Sequence, residues 1–250
     1  MIDSFSLNNI RIVLCNTSHP GNIGASARAM KTMGLNRLYL VGPAHFPDKA
    51  ATARACGAQD ILERAVVTET LKDALQGVTL VGGLTARTRT LSQPAFVLSE
   101  AVPNFVNQAG QDEVALIFGT EMSGLSNQEV EMCHFLIHIP ANPVYSSLNL
   151  AAAVQVVCYA IATACSSSER PIQSRPLALF EDIERFYVHL QDVLVKVGFL
   201  SLEHPKMLMT RMRRLFGRAI LEKQEVLMLR GMLRSIEVAL KKSDHKKNQD

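Results

Sequence analysis

The sequence predicts an α/β fold built on a parallel sheet, followed by a small all-helical extension. Two patterns carry that expectation. Residues 10–165 alternate short, continuous Val/Ile/Leu-rich runs with helix-patterned segments, the signature of parallel strands covered on both faces. Beyond residue 176 the runs cease, and apolar residues recur at helical spacing. Charge divides the same way. Residues 1–168 carry 10 basic and 12 acidic side chains, whereas 169–250 carry 16 and 11. The formal net charge of +3 is therefore an average over two unlike segments.

In chain order the strand candidates are IRIVLC (10–15), RLYLVG (37–42), TLVGG (79–83), VALIFG (114–119) and FLIHIP (135–140), with Ala65–Thr68 a weaker run. Helical patterning falls near 23–33, 48–57, 69–76, 97–109 and 126–132, and a long helix begins near 148. The stretch Leu148–Cys165 is 18 residues long but holds Asn149, Gln155 and Thr163 and lacks flanking Trp or Lys anchors. It reads as a buried helix rather than a membrane span. SSSERPIQSRP (166–176) reads as a linker. Leu179, Ile183, Phe186, Leu190, Val193 and Val197 then stripe one helix up to Gly198. Pro205 suits the first turn of a second, and Val226, Leu229, Leu233, Ile236 and Leu240 stripe a third. The tail SDHKKNQD is expected to be disordered. The expected organisation is thus a domain at 1–165, a linker at 166–176 and a basic helical extension at 177–250.

Several classes are excluded. MIDSFSLNNIRIVLC has Asp3 and no basic segment before its apolar run, so it is not a secretory signal. Five cysteines, odd in number and without a CxxC pair, fit reduced thiols of a cytoplasmic protein better than disulfides or a zinc site. His134 and His138 are spaced i, i+4 on a strand with no third ligand nearby, so no metal is expected. Neither GxGxxG after a strand nor GxxxxGK[ST] is present.

Ligands of open α/β sheets bind beyond the carboxyl ends of the strands, which directs attention to loops 16–22, 84–90, 119–125 and 140–147. The first opens NTSHPGNIGASARAMKTMG (16–34), with a His19-Pro20-Gly21 turn, Asn22 at an expected helix cap and Arg28 about two turns into the helix. The third is FGTEMSGLSNQE, where Gly119 and Gly124 permit tight turns, Glu121 sets a carboxylate at the strand end, and Ser126 with Glu129 forms a capping box. The fourth, IPANPVYSSLNLAAA, gathers Ser146, Ser147 and Asn149 where the long helix begins. Singly these are turns and caps; together, at one sheet edge, they point to a shared site.

The combination PGNIGASARAMKTMG, LIFGTEMSGLSNQE and IPANPVYSSLNLAAAVQV resembles the three motifs of the SPOUT-class RNA 2′-O-methyltransferases. Within that class it looks like the TrmJ type, tRNA (cytidine/uridine-2′-O-)methyltransferases acting in the anticodon loop. The resemblance covers about residues 10–165, and the helical extension is similar too. It implies a parallel-sheet SPOUT fold with a C-terminal trefoil knot, a homodimer through the knot region, and S-adenosylmethionine as methyl donor without a metal. The implied cofactor residues are Leu84, Thr85, Ala86, Gly119, Ile139, Ser146, Ser147 and Leu148. The implied reaction is methylation of a cytidine or uridine ribose at tRNA position 32. An rRNA methyltransferase of the same class and a non-catalytic RNA-binding protein on this scaffold are the alternatives.

Arg28 matches the family's catalytic arginine, with Ser147 orienting the hydroxyl or the cofactor. A guanidinium is effectively never deprotonated, so Arg28 is expected to clamp a phosphate and stabilise the developing alkoxide. RNA contacts are expected at Asn22, Arg87, Arg211 and Arg214, with Arg89 a further cation of the second loop. TrmJ-type members commonly carry Arg directly after the second motif's FG, where this chain has Thr120. Residues 205–242 hold ten basic side chains against three Glu and few aromatics, a composition suited to phosphate contact rather than base stacking.

Overall fold

The apolar runs become strands of one sheet in the computed structural model, which describes residues 7–86, 93–167, 176–201 and 205–247. They are β1 (Ile10–Cys15), β2 (Arg37–Val41), β3 (Val66–Thr68), β4 (Val78–Leu84), β5 (Ala95–Val97), β6 (Glu113–Phe118) and β7 (Phe135–His138). All pair in parallel, in the order β3-β2-β1-β6-β4-β7-β5. β1 and β4 are buried along their whole length, as strands between two helical layers must be. The edges are short and wetter: Val66 and Val67 of β3, and Phe96 of β5, are exposed. β5 has no counterpart among the expected strands. Three residues give no periodicity; register with β7 and an edge-on Phe96–Phe135 contact at 5.5 Å hold it instead.

Seven helices accompany this sheet among the described residues: α1 (Pro20–Thr32), α2 (Lys49–Ala55), α3 (Gln59–Glu63), α4 (Leu71–Ala74), α5 (Leu98–Ala109), α6 (Asn127–Glu131) and α7 (Leu150–Ser167). α3, five residues long, is too short to show a period and has no counterpart in the expected helices. Pro20 occupies the first helical position of α1, and the His19 ring caps it by accepting from the Gly21 N–H at 3.1 Å. Asn22 therefore lies inside the first turn and is not the cap. α1 also meets α2 closely. A Cβ on Gly24 would lie 2.0 Å from the Ala51 carbonyl oxygen, so this crossing admits only glycine. α7 is a packed helix, with Val154, Val157, Cys158 and Ile161 buried while Tyr159 faces outward. Among the described residues no helix is long and apolar enough to cross a membrane.

Two polar devices brace the sheet. At its amino edge the Glu113 carboxylate accepts from Arg11 Nε at 2.7 Å and from Arg37, while the Arg11 guanidinium lies over the Tyr39 ring. Between β4 and β7, buried His134 accepts from the Val81 N–H through Nδ1 at 3.1 Å, and its own backbone N–H donates to Val81 O at 2.9 Å. All five cysteines are free, and burial pushes the Cys158 thiol up to about 12.

The chain divides into two units, Met1–Ser174 and Arg175–Asp250. The second comprises α8 (Phe180–Lys196), α9 (Pro205–Gly217) and α10 (Lys223–Lys247). Ile183, Phe186, Leu190 and Val193 of α8 share a core with Val226 and Leu233 of α10. Leu179 and Val197 fall at the ends of α8 and Ile236 turns outward, so these three are exposed. Arg213 pairs with Glu184 and stacks 4.3 Å over the Tyr187 ring. The tail expected to be disordered from Ser243 is helical as far as Lys247.

Burial holds the His134 imidazole at about 4 against its ordinary 6.5, so the folded protein keeps it neutral while the unfolded chain protonates first. Its contribution to stability is complete above about pH 6.5 and is lost as pH falls toward 4. One linked proton gives a slope of about 1.4 kcal/mol per pH unit. Denaturant titrations between pH 7 and 5 should show that slope, and His134→Gln should flatten it.

Candidate functional site

Because every strand is parallel, all carboxyl ends share one edge, and the loops there enclose a cleft of about 810 Å³, open mouth included. That size suits a small organic cofactor. All eight residues expected at the methyl donor, Leu84, Thr85, Ala86, Gly119, Ile139, Ser146, Ser147 and Leu148, line it. The second loop sets Thr85 against β7: its carbonyl lies 3.2 Å from His138 Nδ1.

The loop after β6 turns back on itself. Thr120 and Gly124 exchange backbone hydrogen bonds at 3.2 and 3.0 Å, and Gly124 adopts φ +67°. A Cβ on Gly119 would fall 2.1 Å from the Gly124 carbonyl carbon, so the turn closes only over glycine. The Thr120 hydroxyl accepts from the Ser123 N–H at 3.1 Å and stands 2.7 Å from its Oγ. Thr120 thus serves the turn. Downstream, Ser126 Oγ accepts from the Glu129 N–H and the Glu129 carboxylate accepts from the Ser126 N–H, completing the capping box of α6. The fourth loop bends at Asn142, and Asn149 caps α7, its Oδ1 accepting from the N–H groups of Ala151 and Ala152 at 3.0 and 3.4 Å.

Glu121 joins these loops. Its carboxylate accepts from the Ser18 N–H at 3.1 Å, the Ser18 hydroxyl at 2.9 Å, the His19 N–H at 3.2 Å and Asn22 Nδ2 at 2.9 Å. Asn149 Nδ2 in turn donates to Asn22 Oδ1 at 3.1 Å. Desolvation raises the carboxyl, but the Asn22 bond and the surrounding backbone bonds outweigh it and bring it down to about 2. Asn22, expected to touch RNA, has its oxygen and one N–H engaged within the protein. The sequence places Glu121 at the strand end; nothing in it reveals the partners contributed by residues about a hundred positions earlier.

Among the described residues, positive charge lies outside the cleft. Among the described residues, Glu121 is the one ionisable side chain in the lining. Arg28 is exposed on α1, with no hydrogen bond or ion pair among the described residues. Arg87 and Arg89 lie outside the described residues. Arg211 and Arg214 lie on α9, Arg211 exposed. No group of three His, Cys, Asp or Glu able to hold a metal occurs among the described residues.

The SpoU rRNA methylase family model matches residues 9–159, and the model of the TrmJ C-terminal domain matches 181–248. The tRNA (cytidine/uridine-2′-O-)-methyltransferase TrmJ of Sodalis glossinidius is 51% identical over 235 residues, 92% of each chain. The chain belongs to the TrmJ family of SpoU methylases. The TrmJ of Yersinia enterocolitica is 48% identical over 237 residues, again 92% of each chain. The crystal structure of TrmJ from Z. mobilis ZM4 superposes with a TM-score of 0.81 at 30% identity, covering 91% of this chain and 98% of that one.

In this TrmJ-family chain Glu121 should govern the order of the first loop. Its contribution to stability is complete above about pH 4.5 and is lost as pH falls toward 2, where the charge and the loop tether go with it. Glu121→Gln removes that charge at every pH. Hydrogen exchange at the Ser18 and His19 amides should accelerate by about tenfold at pH 7, as expected when charge-assisted bonds are removed.

Proposed function

We propose that this chain transfers the methyl group of S-adenosylmethionine to the ribose 2′-hydroxyl of a cytidine or uridine at position 32 of the tRNA anticodon loop. The observation that carries this reading is the 51% identity to a named tRNA (cytidine/uridine-2′-O-)-methyltransferase across 92% of both chains. The cleft supports it. A lining of small, apolar and hydroxyl side chains, with one carboxylate and no cation among the described residues, fits a donor that bears a positive sulfonium. When bound, that donor supplies a methyl group already activated by its own charge. The protein's work is then to position and polarise the hydroxyl. Arg28 clamps a phosphate and stabilises the developing alkoxide, while a phosphate oxygen or solvent takes the proton. Ser147 orients the hydroxyl or the donor at the cleft wall. Asn22 acts through Glu121 and Asn149, fixing the first turn of α1 and so the approach of Arg28.

The assembly belongs to the same proposal. β7 lies between β4 and β5, two strands joined earlier in the chain, which supports the knotted crossing. Val144, Tyr145 and Tyr159 present exposed apolar surface on the fourth loop and α7, which supports a homodimer through that region, in the cytoplasm where tRNA is met. In the second unit, Arg211 and Arg214 meet tRNA phosphates, and Arg87 of the second loop is a further phosphate contact.

The decisive experiment incubates the protein with labelled S-adenosylmethionine and bulk RNA and maps the product. Label should appear on the ribose of C or U at tRNA position 32. Label confined to rRNA would install the rRNA reading instead, and absence of label in any RNA would leave a binding protein. Arg28→Ala should lower kcat/KM by about 100-fold or more while donor affinity holds. Arg211→Ala with Arg214→Ala should weaken tRNA binding and make its salt dependence shallower, by about 0.7–0.9 for each phosphate no longer neutralised.

A further inference from the structure

The geometry points to Arg54 as a further phosphate contact for the RNA substrate, its stem packed against the first turn of α1. This rests on the reading above that RNA is delivered to this cleft. Arg54 occupies the last turn of α2. Its Cγ lies 3.6 Å from the position a Cβ would take on Gly21, so its stem crosses the first turn of α1. That turn also holds Asn22, whose amide is bonded to Glu121 on the cleft lining. Arg54 is exposed and, among the described residues, has no hydrogen bond or ion pair. The neighbouring cation Lys31 is committed to Asp60 and the Gly57 carbonyl.

Charge complementarity makes the placement matter. A polyanion brought to a cleft whose described lining carries one carboxylate and no cation must find its counter-charge at the rim. Arg28 and Arg54 are, among the described residues, unpaired cations on the two helices that cross at Gly24. A guanidinium matches the oxygens of a phosphate in two parallel bonds. The turn at 120–124 supplies no positive charge, and Arg54 of α2 supplies it.

The test compares wild-type protein with Arg54→Ala, Arg54→Glu and Arg54→Lys, using purified tRNA and S-adenosylmethionine. KM for tRNA should rise about 5–10-fold in Arg54→Ala and further in Arg54→Glu, with kcat within about twofold. The slope of log affinity against log salt should fall by about 0.7–0.9, the equivalent of one phosphate. Arg54→Lys should recover most of the affinity, since it keeps the charge. Unchanged KM and salt slope in Arg54→Glu would overturn the inference. So would an equal fall in donor affinity, because that reports a disturbed α1 turn rather than a missing phosphate partner. Failure of wild-type protein to methylate tRNA would instead defeat the functional reading on which this rests.

Discussion

Everything at the carboxyl edge of the sheet depends on one carboxylate. A parallel sheet delivers its loops to the same side, but delivery alone does not fix their mutual position. Glu121 does so by accepting four hydrogen bonds from residues 18–22 and, through Asn22, by reaching the cap of α7. Water would solvate such an ion better than an apolar wall; the donors directed at it reverse that balance. Remove the charge, and the first loop, α1 with Arg28, and the start of α7 lose their common reference point.

The two edges of the sheet do different work with the same chemistry. At the amino edge Glu113 neutralises two arginines and Arg11 is buried over Tyr39. At the carboxyl edge a single carboxylate is matched by neutral donors, which leaves Arg28 of α1 and Arg54 of α2 without ion-pair partners among the described residues. An arginine paired at the surface adds little to stability, whereas an unpaired one beside a cleft is available to a polyanion.

Much of this is legible in the residues alone. β1 matches its expected limits, and the eight residues assigned to the donor through the family resemblance line one cleft. What is not legible has a physical cause in each case. β5 and α3 are shorter than the periods that reveal strands and helices, and tertiary pairing decides them. The α1 cap is one step of local chemistry: Pro20 starts the helix earlier than the Asn22 pattern suggests, and His19 takes the role. The partners of Glu121 and the stem of Arg54 across Gly21 are long-range contacts with no local signal. Burial and a main-chain bond to β4 explain His134, which sequence spacing could only compare with a metal ligand.

The Asn22–Asn149 bridge has a direction. A carboxylate can only accept, so Glu121 compels Asn22 to present its nitrogen inward and its oxygen outward. That oxygen compels Asn149 to present its own nitrogen, which leaves its oxygen for the N–H groups opening α7. The polarity of a helix cap is therefore set by a carboxylate at position 121, earlier in the chain, and passed along as a one-way relay. An aspartate in place of either asparagine would keep the shape and set oxygen against oxygen. In this relay the sense of the hydrogen bonds, rather than the outline of the side chains, is the information carried.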